Sequence, residues 1–122
     1  MSKFSNKDKE YDLEERTQKF GEDIIEFAKG ISKNVITIPL INQLVKSGTS
    51  VGANYMEANG ADSKKDFAHK IGISKREAKE TKHWLRMIVK AEPSQKEKAE
   101  KLWREAEELN LIFSKIIRSC RK

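Results

Sequence analysis

The chain has 122 residues, of which 36% are charged, 7% are aromatic and only two are proline, and its formal charge is +6. That length supports a single core, and so few Gly and Pro turns argue for helices over a sandwich or barrel. No apolar run approaches the roughly 20 residues that cross a bilayer, the start MSKFSNKDKEYD lacks a signal peptide's apolar segment, and the lone Cys120 excludes an intramolecular disulfide. A cytoplasmic protein with no membrane partner is expected.

Residues 1–10 are polar and aperiodic, and read as a disordered arm before a bundle spanning 11–122. From Asp12 onward, Leu13, Phe20, Ile24, Phe27 and Ile31 fall at helical spacing, until Lys33 and Asn34 end the pattern. Val35, Ile36, Thr37 and Ile38 are β-branched but have no evident partner strand. They read as an apolar connection to Pro39, which suits the first turn of a second helix. In that helix Ile41, Leu44, Gly48, Val51, Tyr55 and Ala58 advance by alternating steps of three and four, and Gly60 is a natural stop. Ser63, with Asp66 three residues on, has the form of an N-cap. The third helix carries an unbroken seam of Phe67, Ile71, Ser74, Ala78, Thr81, Leu85 and Ile88. Pro93 closes it and Ser94 is placed to cap a fourth helix. There Ala99, Leu102, Ala106, Leu109, Phe113, Ile116 and Cys120 repeat every seven residues. Four amphipathic segments with short connections predict an all-α, single-domain, up-and-down four-helix bundle.

The small residues from Ser47 to Ala53 could suggest a phosphate cradle. A P-loop, however, needs four residues between its glycines, then Lys and Ser or Thr, after a strand. Here three residues separate Gly48 from Gly52, and Ala53 and Asn54 follow within a helical pattern. Gly48 and Gly52 share nearly one helix face with Tyr55, so they read as packing positions that admit a neighbouring backbone or ring. Each glycine costs about 1 kcal/mol of helix propensity, which close packing must offset. The quartets ETKH (Glu80–His83) and DFAH (Asp66–His69) approach the Glu-x-x-His form of di-iron bundles, but both lie on one helix. No metal, cofactor or catalytic residue is expected, and an enzyme is not.

The third helix divides its charge around its axis. Between Lys64 and Lys90 nine basic residues face only three acidic ones, so this helix dominates the basic balance. Lys75, Lys79, Lys82, Arg86 and Lys90 follow one flank, a ridge about 22 Å long at 1.5 Å per residue that could track a phosphate backbone. An ordinary solvated face is the competing reading. Glu77, Glu80, Trp84 and Met87 lie on the other flank and suggest a subunit contact. Completion of the bundle core by Trp84 is the alternative there.

The block SGTSVGANYMEANGADSKKDFAHKIGISKREAKETKHWLRMI, Ser47 to Ile88, resembles the signature region of a bacterial four-helix bundle family, the 23S rRNA intervening-sequence proteins. YDLEERTQKFGEDIIEFAK and NVITIPLINQLVK resemble that family's first helix and the start of its second. The chain is similar, more remotely, to the accessory proteins of diversity-generating retroelements. The resemblance implies a homo-pentamer of four-helix bundles with basic surfaces, generally of unestablished function and without known catalytic residues. It adds Glu57 to Glu77 and Glu80 as acidic positions with structural roles at the oligomer contact. The functional expectation is therefore an oligomeric, non-enzymatic bundle that binds RNA or DNA through the ridge. The alternative is a protein-binding adaptor, for example for a nucleic-acid enzyme such as a reverse transcriptase.

Overall fold

Four helices carry the described residues, 12–121, of the computed structural model: α1 Leu13–Lys29, α2 Thr37–Asn59, α3 Lys64–Ala91 and α4 Lys96–Cys120. A 3-10 turn, Pro93–Gln95, joins α3 to α4. The arm expected over 1–10 lies outside the described residues. Successive helices pack against one another and α4 returns to touch α1, which closes an up-and-down bundle. No strand forms among the described residues, and no helix is long and apolar enough to cross a membrane.

All seven seam residues of α3 are buried, Ser74 and Thr81 included. Leu13, Phe20, Ile24, Phe27 and Ile31 likewise enter the core around α1. Burial of a large side chain contributes about 1.5–3 kcal/mol, so these rows outweigh any local preference. The polar members are satisfied where they sit. Ser74 Oγ donates to the Val51 carbonyl at 3.0 Å, and the Thr81 hydroxyl bonds Ser47 Oγ at 2.9 Å across α2 and α3. Tyr55 stacks towards Phe113 in the same core, with ring centroids 6.4 Å apart.

The helix ends depart from the sequence pattern in three places. First, α1 stops at Lys29, before Lys33 and Asn34, because Asn34 is committed to starting α2. The Asn34 side-chain oxygen accepts from the Ile36 and Thr37 amides, both at 2.9 Å, while its own amide donates to Thr37 Oγ1 at 3.0 Å. That reciprocal pair does the work of a capping box and coils the β-branched run into a helical turn. Second, Ser94 is not a cap. It lies inside the 3-10 turn, and α4 begins after Gln95 without a side-chain cap bond. Third, Gly60 follows the last residue of α2 with φ −96°, so no left-handed turn requires a glycine there. Ser63 does cap α3, accepting from the Asp66 amide at 3.0 Å.

The crossing of α1 and α2 depends on bare backbone. A Cβ on Gly48 would stand 2.8 Å from Ile24 Cγ2, and one on Gly52 would stand 3.2 Å from the Thr17 carbonyl oxygen. Both glycines therefore face α1, and their helix-propensity cost is the condition for that close approach. Thr17 is buried at the same crossing and donates to the Leu13 carbonyl at 2.6 Å.

Candidate nucleic-acid interface

The ridge side of α3 turns towards α4, and this orientation decides which of its cations are available. Lys79, Arg86 and Lys90 are exposed and Lys75 is half-buried. None of these four makes an ion pair among the described residues. Lys82 differs. Its side chain is only 19% exposed, pairs with Glu107 of α4, and sets its ammonium 4.9 Å from the centroid of the Trp103 ring. A paired cation over an aromatic face joins the two helices and leaves little charge for a ligand. The sequence-expected ridge thus separates into four open positions and one tie.

Beyond Lys82 the two helices part around a groove of about 360 Å³ lined by Leu85, Arg86, Val89, Lys96, Ala99, Glu100, Trp103 and Arg104. Its apolar lining comes from Leu85, Val89, Ala99 and Trp103, and three cations surround it. On α4, Lys96, Ala99, Glu100, Trp103 and Arg104 stand at helical spacing, so one face supplies them all. Glu100, the single acid, lies 3.9 Å from Arg104. Ala99 belongs to the predicted core repeat, but Lys96, Glu100, Trp103 and Arg104 are not among the sequence-predicted positions. Their signal was faint: Trp103 falls outside the seven-residue core repeat, and the neighbouring Lys and Glu residues alternate as solubilising pairs do.

The other flank of α3 gathers Glu77, Glu80, Trp84 and Met87 but not Glu57. Glu57 of α2 is exposed and pairs with Lys70 at 3.5 Å, about two helical turns before Glu77 along α3. Trp84 is half-buried against the core of its own bundle and meets the His83 ring edge-on at 4.7 Å. Glu80 is exposed, and Met87 is half-buried. Desolvation raises the Glu77 pKa above the ordinary carboxylate value; Glu80 adds to the rise, and Lys46 and Arg76 oppose it. Both histidines of α3 are exposed, and among the described residues no three His, Cys, Asp or Glu side chains converge as a metal would require.

A further ion cluster holds the remaining seam of the bundle. Arg16 of α1 reaches Glu105 of α4 through Nε at 2.7 Å and Nη2 at 2.8 Å, and Glu108 through Nη2 at 2.8 Å. The hydrogen bond to Glu105 is the main reason that the guanidinium holds its proton more tightly than usual. Two of α4's carboxylates are thereby consumed on the side away from the groove.

Comparison with known proteins places this geometry among relatives. Residues 9–115 match the family described as 23S rRNA-intervening sequence protein. A crystal structure from Bacteroides thetaiotaomicron, described as a protein of unknown function from the S23 ribosomal protein family, is similar at 30% identity and a TM-score of 0.76. The alignment covers 85% of this chain and 96% of that one. No curated protein matches at comparable significance.

Proposed function

The chain belongs to the 23S rRNA-intervening sequence protein family, and from that premise we propose a cytoplasmic, non-enzymatic homo-oligomer that binds RNA or DNA through its α3–α4 face. The observation that carries this reading is a cluster of cations on one face. Lys75, Lys79, Arg86, Lys90 and Lys96 lie along α3 and the start of α4 and make no ion pair among the described residues, while Lys82 is tied to Glu107 and Arg104 lies 3.9 Å from Glu100. Unpaired positive charge on two adjoining helices attracts a polyanion by counterion release.

The test replaces Lys79, Arg86 and Lys90 together by Glu, leaving Lys82 in place because it ties α3 to α4. Binding of a labelled RNA and a labelled DNA is followed by anisotropy across a salt series. Loss of at least about a hundredfold at low salt, with a salt slope shallower by about three, is expected from three lost phosphate contacts. Unchanged binding and slope would sink the assignment. The assembly is read separately by light scattering. A pentamer has a mass of about 70 kDa, five times the 14.0 kDa chain, and a monomer at working concentration removes the oligomer from the reading.

A second reading, an adaptor for a protein such as a nucleic-acid enzyme, is favoured by one feature. Val35 and Ile36 at the α1–α2 connection and Ile38 in the first turn of α2 are 84%, 61% and 47% exposed, and neighbouring exposed apolar residues mark protein contacts. The ratio of absorbance at 260 and 280 nm, before and after a high-salt wash, separates the two. Nucleic acid that copurifies and is removed by salt supports the first reading; its absence favours the second.

A further inference from the structure

We infer that the α3–α4 groove receives an unpaired base, so that the nucleic acid this protein takes is single-stranded. The inference rests on the basic-face reading above and goes beyond it by naming the form of the ligand. A duplex offers a protein face mainly phosphates, with its bases stacked out of reach, and charge alone would serve it. The groove offers more than charge. Its volume, about 360 Å³, falls in the range of small-ligand pockets. Leu85, Val89, Ala99 and Trp103 give it an apolar lining, while Arg86, Lys96 and Arg104 surround it with cations. An aromatic ring inside a positive groove is the arrangement by which single strands are held: bases stack or pack within while the backbone follows the cations.

Charge complementarity decides between this occupant and an apolar helix from another protein. The groove wall holds three cations against the single acid Glu100, and Glu100 already lies 3.9 Å from Arg104. Lys79 and Lys90 extend the same positive flank along α3 on either side of Arg86. Trp103 is also held in place before any ligand arrives, because Lys82, fixed by Glu107, stands over its ring. A ring that is already positioned loses little further freedom on binding.

The experiment uses the full chain and three probes of equal length: a mixed-sequence RNA single strand, its duplex, and the same strand with central abasic sites. The expected result is that the intact strand binds roughly tenfold tighter than the abasic strand or the duplex, the change that one stacked base supplies. Trp103→Leu should reduce the intact strand to the level of the abasic one and leave the duplex unchanged. In Trp84→Phe, where Trp103 is the sole tryptophan, the intact strand should quench fluorescence and the abasic strand should not. Equal affinity for all three probes in the wild type overturns the base site while leaving the basic face standing. Failure of every probe to bind at low salt removes both. An acidic, aromatic peptide that binds tighter than the strand and is lost in Trp103→Leu also overturns the inference, by reassigning the groove to a protein. The abasic comparison needs no variant, so poor folding of Trp103→Leu cannot shelter the idea.

Discussion

The two hairpins of this bundle each leave a groove of similar size and treat it oppositely. Between α1 and α2 a depression of about 300 Å³ is lined by Gly21, Gly52, Thr49, Ile25 and Met56, with Glu14, Gln18 and Glu22 at its edges and no cation. Between α3 and α4 the groove of about 360 Å³ holds a tryptophan and three cations. The same architecture thus yields one groove edged by acids and one edged mainly by cations. What differs is side-chain size and charge at a few helical positions. The first pair is drawn together by bare glycine backbone, and the second is propped and tied by Trp103, Lys82 and Glu107.

The largest stability effect should come from filling the glycine crossing. Gly48→Leu inserts a branched side chain where even a Cβ would stand 2.8 Å from Ile24, and should cost about 3 kcal/mol through overpacking. Urea unfolding measures it, and a loss below about 1 kcal/mol would mean that the two helices separate cheaply. Next is the joint between the hairpins. Arg16→Ala removes three charge-assisted bonds to Glu105 and Glu108. It should cost about 2 kcal/mol, since Arg16 is partly buried and its loss leaves two carboxylates facing each other. An equally large loss in Arg16→Lys would show that the fork geometry matters, because a lysine keeps the charge and loses the fork.

Gly72 supplies the contrast. It lies inside α3 with nothing within 4 Å of where a Cβ would stand, so Gly72→Ala should stabilise by about 1 kcal/mol through helix propensity alone. If that variant is stabilised yet binds nucleic acid more weakly, the bareness of Gly72 serves the basic side of α3 as Gly48 serves the α1–α2 crossing.

Sequence periodicity disclosed the bundle because burial dominates it: the α3 seam was readable at every position, polar members included. The thin side of α2 was legible for a similar reason, since two glycines four apart in a helix have few uses. Other features were hidden by their chemistry. Asn34 ends one pattern and opens another through its side-chain oxygen, which hydropathy does not register. The α3–α4 groove needs residues from two helices, and the relative rotation of those helices is fixed only by the packed core. Trp103 lies beside the α4 repeat, and nothing in that repeat singles it out. Lys82 lies on the same row as Lys79 and Arg86, and only the proximity of Glu107 and Trp103 distinguishes a tie from an open cation.

The smallest effect bears on the acidic flank of α3. Burial, with Glu80 nearby, raises the pKa of Glu77 in the folded state. A raised carboxylate contributes stability that is present below its unfolded pKa and is lost as pH rises through its folded pKa. At pH 7 a charged Glu77 therefore opposes folding slightly. Glu77→Gln should raise stability by about 0.5 kcal/mol or less, because the site is partly solvated and screened. The difference should vanish in acid, where the carboxyl is protonated in both states. Unfolding at pH 7 and in acid, each at two protein concentrations, checks the sign. A variant that is less stable at pH 7, and more so as concentration rises, would mean that Glu77 meets a cation supplied by another copy. The sign of this small shift thus reads whether the flank opposite the basic ridge stands bare in solution or is covered by assembly.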